Sequence, residues 1–216
     1  MVSSKGALRH KFMGLIDQFK PADKALISEA LRFAEAAHDG QYRKLTKFQD
    51  LPDPYIVHPI RVATIVIEEL WLTDPVIICG ALLHDAVEDS GGTITTSDVE
   101  KAFGRNVALM VSILTKPPVD ENISRSEQLH TYHDRISRSN LQTKIVKLCD
   151  RLDNIRDTVD SSDVEFQKKY LAETMTVHAP MAESVNQYLF NELLETCEKI
   201  RQSLRLSTSH LPAGER

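Results

Sequence analysis

Glycine is scarce in this chain, at 8 of 216 residues, about half the ~7% of an average protein. So few glycines leave little material for the tight turns of an all-β fold, and helix becomes the expected element. Cysteine is scarce too. The 3 present, Cys79, Cys149 and Cys197, are odd in number and cannot form a disulfide framework. They read as buried, reduced thiols, which suits a cytoplasmic protein. Positive charge is in deficit: 26 Lys and Arg stand against 31 Asp and Glu, a net −5, the reverse of what a nucleic-acid binder uses. No apolar run reaches the ~18 residues of a membrane span. Met1 to Asp17 lacks an apolar block with a cleavage site, so no secretory signal is expected. Aromatics are 6% with 1 Trp, Trp71, which ends the apolar stretch Leu70-Trp71-Leu72 and is expected in the core.

What remains is 42% hydrophobic, enough for a folded domain, and it is arranged at helical spacing. Leu26, Ile27, Ala30, Leu31, Ala34 and Ala37 predict an amphipathic helix over about 22–38. Pro52 and Pro54 make the stretch from Asp39 to Val57 a loop. His58-Pro59 opens the next helix, with proline in the first turn. Asp74-Pro75 starts another as N-cap and first residue. That helix, predicted over about 75–88, is apolar on nearly every side through Leu83, the pattern of a helix buried at a domain centre. Further helices are expected at 96–103, 105–115, 123–138, 140–156, 163–178 and 180–205, with a frayed tail from Ser207. No repeat, linker or low-complexity tract interrupts them, so one all-α domain is expected.

The chemistry concentrates where the buried helix runs out, in Leu82-Leu83-His84-Asp85-Ala86-Val87-Glu88-Asp89. Three acids and a histidine follow an apolar run, and burying such charge unpaired costs several kcal/mol. A divalent ion would remove that cost, because imidazole and carboxylate are its natural ligands. On a continuous helix His84 and Glu88 would share one face, and Asp85 and Asp89 the adjoining one. Partners are available elsewhere: His58, and Asp150 in Lys147-Leu148-Cys149-Asp150-Arg151-Leu152-Asp153-Asn154. His58, His84, Asp85 and Asp150 make two imidazoles and two carboxylates. Around six-coordinate manganese or iron they leave two positions for water or substrate. Around four-coordinate zinc the site would be closed and structural. Each segment alone has a duller reading: His58 as a packing histidine, the acids as an exposed helix end. The acids oppose the dipole there, however. The basic set Lys144, Lys147, Arg151 and Arg156 is too short and too mixed with acids for a nucleic-acid patch. His130 and His133 read as surface groups, and His178 as a packing or capping residue.

The order His58, then His84-Asp85, then Asp150 is similar to that of the HD-domain metal-dependent phosphohydrolases. Tyr42-Arg43-Lys44, Pro54-Tyr55-Ile56-Val57-His58-Pro59-Ile60, His84-Asp85-Ala86-Val87-Glu88-Asp89 and Lys147 to Arg156 together resemble the hydrolase domain of RelA/SpoT proteins. Glu173-Thr174-Met175 and Ala179-Pro180-Met181-Ala182 resemble its downstream helix pair. The resemblance runs over about 25–190. It implies a single HD domain over 1–216, a helical bundle around a central buried helix. With no room for a synthetase domain, it implies a small alarmone hydrolase that removes the 3′-pyrophosphate from (p)ppGpp. The implied partner is a small nucleotide, with neither nucleic acid nor membrane.

The resemblance also implies roles: His58, His84, Asp85 and Asp150 as metal ligands, and manganese as the ion ahead of iron or zinc. Glu88 and Asp89 would orient or deprotonate the attacking water. Arg43 and Lys44 would hold phosphate or base, and Asn154, one helical turn after Asp150, the ribose. Arg151 reads equally as a salt-bridge partner. Two departures stand out. Leu45 to Asp53 lengthens the loop beside the base and removes the family's glycine. Asp153 replaces the family's histidine, with a changed surface contact expected. Base preference is thereby left open between guanine and adenine. Hydrolysis of the 2′-phosphate of NADPH, or nucleotide binding without turnover, remain the competing activities.

Overall fold

The structure, a computed structural model, describes residues 4–43 and 52–209. They group into two compact units. One holds residues 4–43 and 53–150, the other residue 52 and residues 151–209. Among the described residues the backbone is helical, and the strand-like pairing present is one isolated antiparallel bridge between Tyr42 and Pro54. The all-α expectation is met.

The first unit contains α1 (Ser4–Ile16), α2 (Pro21–Ala37), α3 (Val57–Thr64), α4 (Pro75–Leu83), α5 (Thr96–Phe103), α6 (Arg105–Leu114), α7 (Arg125–Ser137) and the first half of α8 (Leu141–Val159). At its centre is α4. Asp74 caps it by accepting from the Val76 N–H at 2.9 Å. Every residue from Ile77 to Leu83 is buried, and α2, α3 and α6 pack around it. A side chain at Gly80 would run into the Met110 sulfur, so glycine is what lets α6 approach. Tyr132 ties α7 to α6 by donating its O–H to the Leu114 carbonyl at 2.8 Å.

Two local departures from the expected pattern have physical causes. Helix α4 stops at Leu83 rather than near 88, because the Ala86 N–H bonds back three residues to Leu83 at 3.0 Å and tightens the chain into turns. His84 to Asp89 therefore project from a folded turn and not from one helix face. Helix α3 continues as a π-helical turn over Ile65–Glu69, closed by the Leu70 N–H to the Ile65 carbonyl at 3.1 Å. That wider turn rotates the following residues off the apolar face. Trp71, expected in the core, is 84% exposed and sits at φ 55°, a left-handed conformation costly for a large side chain. Helix α1 lies outside the helices expected from the spacing, although Phe12 and Ile16 bury one side of it.

The second unit contains the rest of α8, then α9 (Val164–Glu173), a π-helical turn over Thr174–His178, α10 (Ala179–Val185) and α11 (Gln187–Ser209). Its apolar centre includes Leu152, Ile155, Ala182, Leu189, Leu193 and Ile200. The break in the last helical stretch lies at Asn186. Its backbone is extended, and its side chain accepts from the Leu189 N–H at 3.0 Å to start α11. Pro180 sits harmlessly in the first turn of α10. Arg151 is buried, paired with Glu173 and stacked 4.2 Å over the Tyr170 ring, so the salt-bridge reading of this residue holds. Asp153 is buried as well, so it does not take the surface position expected for it. Cys79, Cys149 and Cys197 are all buried thiols outside any disulfide. No helix among the described residues is long and apolar enough to cross a membrane.

Candidate metal centre and active site

Four groups proposed from the sequence as ligands come together within the first unit. His58, the second residue of α3, is fully buried. Its position is set by a backbone tie upstream: Tyr55 N–H bonds the Gln41 carbonyl at 2.9 Å, Arg43 N–H bonds Asp53 at 2.8 Å, and His58 N–H bonds Tyr55 at 2.9 Å. His84 and Asp85 follow the end of α4, and Asp150 projects from α8. His58 Nε2 lies 3.1 Å from Asp150 Oδ1 and 3.7 Å from Asp85 Oδ2. His84 Nε2 lies 3.0 Å from Asp85 Oδ2 and 3.7 Å from Asp150 Oδ1. Donor atoms of His58, His84 and Asp150 all fall within 4.8 Å of one another.

These groups fit a divalent cation. His84 Nδ1 donates to the Ala81 carbonyl at 2.8 Å, which leaves Nε2 as the ring nitrogen that can face an ion. That Nε2 is buried and makes no hydrogen bond, despite two carboxylates within 4 Å. Atoms about 2.1 Å from a six-coordinate ion sit about 3 Å apart at right angles, the spacing seen between His84 and Asp85. The charge balance agrees. Burial disfavours the His84 imidazolium, yet Asp85 and Asp150 outweigh it and raise the pKa well above the ordinary value. Burial likewise works against ionised Asp85 and Asp150, and the neighbouring cations still hold both carboxyls down. For Asp150 the largest of these is Lys147, whose Nζ donates to Oδ2 at 2.8 Å. Two carboxylates are thus kept ionised in a buried place that draws in positive charge.

Glu88 and Asp89 lie beside this set in different environments. Lys116 takes both oxygens of Glu88, through its backbone N–H at 2.8 Å and its ammonium at 2.9 Å. Asp89 is half-buried, and burial together with Asp85 and Glu88 pushes its carboxyl up to about 6. Arg43 places its guanidinium 5.9 Å from the Tyr55 ring centre. Lys44 falls outside the described residues, as does most of the loop that follows it. Asn154 lies one turn after Asp150 along α8, within the second unit. His130 is exposed, His133 half-buried and His178 buried.

Sequence reasoning gave no role to His38, Gln41, Tyr55 or Lys116. Tyr55 donates its O–H to Asp85 Oδ2 at 2.8 Å. His38 is buried with its ring 4.7 Å from that of Tyr55, and bonds Gln41 through Nδ1 at 2.8 Å. The available signal was spacing: Tyr55 precedes His58 by one tight turn, and His38 and Gln41 are three apart.

Against known proteins, the family model described as HD domain matches residues 30–186. The chain belongs to the HD-domain family. The match includes residues of both compact units. Among relatives of this HD-domain protein, one from Drosophila melanogaster is named guanosine-3′,5′-bis(diphosphate) 3′-pyrophosphohydrolase. It is 35% identical over 133 residues, 62% of this chain and 69% of the relative. One of the same name from Homo sapiens is 37% identical over 136 residues, 63% of this chain and 71% of the relative. A solved structure described as a metazoan ortholog of SpoT that hydrolyzes ppGpp superposes with a TM-score of 0.70 at 30% identity. It covers 83% of this chain and 96% of that one.

Proposed function

We propose that this HD-domain protein is a cytoplasmic, manganese-dependent hydrolase that removes the 3′-pyrophosphate from (p)ppGpp, with the chain acting as one HD domain. The observation that carries the reading is the convergence of His58, His84, Asp85 and Asp150 around a buried, unbonded His84 Nε2, with Glu88 and Asp89 alongside. The names of the Drosophila and human relatives support the substrate.

His58, His84, Asp85 and Asp150 would hold the ion. When bound, such an ion would supply Lewis acidity toward a phosphoryl oxygen and would lower the pKa of the attacking water. The chain's own residues divide the remaining work. Asp89 takes the proton from the attacking water, since its oxygens are not committed to a lysine. Glu88 is held by Lys116 and orients that water rather than accepting its proton. Protonated Asp89 then returns the proton to the leaving 3′ oxygen or to solvent. Arg43, stacked near Tyr55, receives phosphate or base with its planar fork, and Lys44 adds positive charge. Asn154 would bind the ribose.

The test is to incubate the purified protein with manganese and a panel of ppGpp, ppApp and NADPH, and to identify the product. Pyrophosphate and GDP from ppGpp are expected. Release of phosphate from NADPH, with ppGpp untouched, would overturn the substrate assignment.

A further inference from the structure

The Tyr55 hydroxyl has a directed contact inside the site that ring packing alone does not require. It donates to Asp85 Oδ2 at 2.8 Å, the same oxygen that faces His84 Nε2 at 3.0 Å. A carboxylate rotates easily about its last bond, and one fixed O–H donor removes that freedom. The phenol is itself held in place. The His38 ring lies against it at 4.7 Å and 30°. His38 Nδ1 donates to Gln41 Oε1 at 2.8 Å, and Gln41 Nε2 donates to the Asp89 carbonyl at 2.8 Å. That last bond fixes which end of the Gln41 amide is which, and hence the tautomer of His38. The chain of contacts therefore ends on the backbone of Asp89 at one side and on the carboxylate of Asp85 at the other.

From this geometry we propose that Tyr55 is a positioning residue for the metal centre: its O–H, braced by the His38 and Gln41 pair, presets the Asp85 carboxylate for the ion and thereby sets the ion's affinity. The inference rests on the metal reading above and goes beyond it by assigning the support of one ligand. It also gives the segment from His38 to Gln41 a purpose. That segment joins the ligand side of the site to Asp89, so the Asp85 carboxylate and the proton acceptor are tied by one set of contacts.

The experiment is a manganese titration of the metal-stripped full chain, following free Mn²⁺ by electron paramagnetic resonance, for wild type, Tyr55→Phe and His84→Ala. Tyr55→Phe removes one oxygen and keeps the ring against His38. Its affinity should fall about 10- to 100-fold, the usual effect of losing a partner of a metal ligand, with the cooperative thermal transition retained. Turnover of ppGpp by Tyr55→Phe should be low at limiting manganese and recover at saturating manganese, which a general loss of packing would not allow. Affinity within about twofold of wild type, or turnover that saturating manganese does not restore, overturns the proposal. His84→Ala separates the two levels. If it binds manganese as wild type does, the metal reading itself falls and this inference with it. If it loses the ion while Tyr55→Phe does not, this inference alone falls.

Discussion

Lys116 grips Glu88 at both oxygens, with its backbone N–H on one at 2.8 Å and its ammonium on the other at 2.9 Å. Neighbouring acids at the same turn are thereby made unequal. Glu88 is paired with a fixed cation, while Asp89 has no such partner among the described residues, and burial together with Asp85 and Glu88 raises its carboxyl to about 6. Asp89→Asn should lower kcat for pyrophosphate release by at least ~100-fold, the scale of losing a general base, with manganese content unchanged. Lys116→Met should lower kcat less, because it frees Glu88 without removing the proton acceptor. Near-normal turnover in Asp89→Asn would refute the division.

The ion should also be a stability element. Ligand that binds the folded chain alone stabilises it by about 2.7 kcal/mol at 100 times its dissociation constant. Adding manganese to the stripped protein should raise Tm by several degrees, and His84→Ala should abolish the rise. Elemental analysis of the purified variant should show the corresponding loss of bound metal.

All the cysteines should resist thiol reagents. Burial pushes the Cys79 thiol up to about 12 and the Cys197 thiol up to about 11, and Cys149 is buried with them. A raised pKa leaves almost no thiolate at pH 8, and thiolate is the reactive form. A colorimetric disulfide reagent at pH 8 should find no fast-reacting thiol in the native chain and all 3 after denaturation. A stoichiometric fast phase in the native protein would contradict the burial.

Helix α5 begins in a reciprocal cap, in which the Thr95 side chain accepts from the Asp98 N–H and Asp98 accepts from the Thr95 N–H. Thr95→Ala should cost ~1 kcal/mol in denaturant unfolding. The bonds from Thr95 hold the Asp98 carboxyl below its ordinary range. Its contribution is therefore present above the unfolded value of about 3.9 and is lost as pH falls through the folded one. Asp98→Asn should remove that part of the acid sensitivity, seen as a flatter stability profile below pH 4.

Trp71 at φ 55° and 84% exposed carries backbone strain with little burial to offset it. Trp71→Gly should be neutral to stabilising by about 1 kcal/mol, and the native indole should be readily quenched by acrylamide. A marked drop in Tm would show that the indole contributes more packing than its exposure indicates.

The sequence by itself determined the helical class and the all-apolar α4, because hydrophobic spacing and proline and aspartate caps act locally. It also pointed to His58, His84-Asp85 and Asp150 as a proposed metal set, because the His-Asp pair follows an apolar run and the order of the segments resembles the HD domain. It carried no comparable signal for α1, for the turn that ends α4 at Leu83, or for the π-helical turn that puts Trp71 into solvent. Those are settled by single backbone bonds, such as Ala86 to Leu83 and Leu70 to Ile65, that composition does not encode. Only the tertiary structure made Glu88 and Asp89 unequal, through a lysine 28 residues away, and gave Tyr55 its carboxylate 30 residues away. A hydrogen bond depends on where two side chains meet in space, and packing around α4, not residue order, decides that.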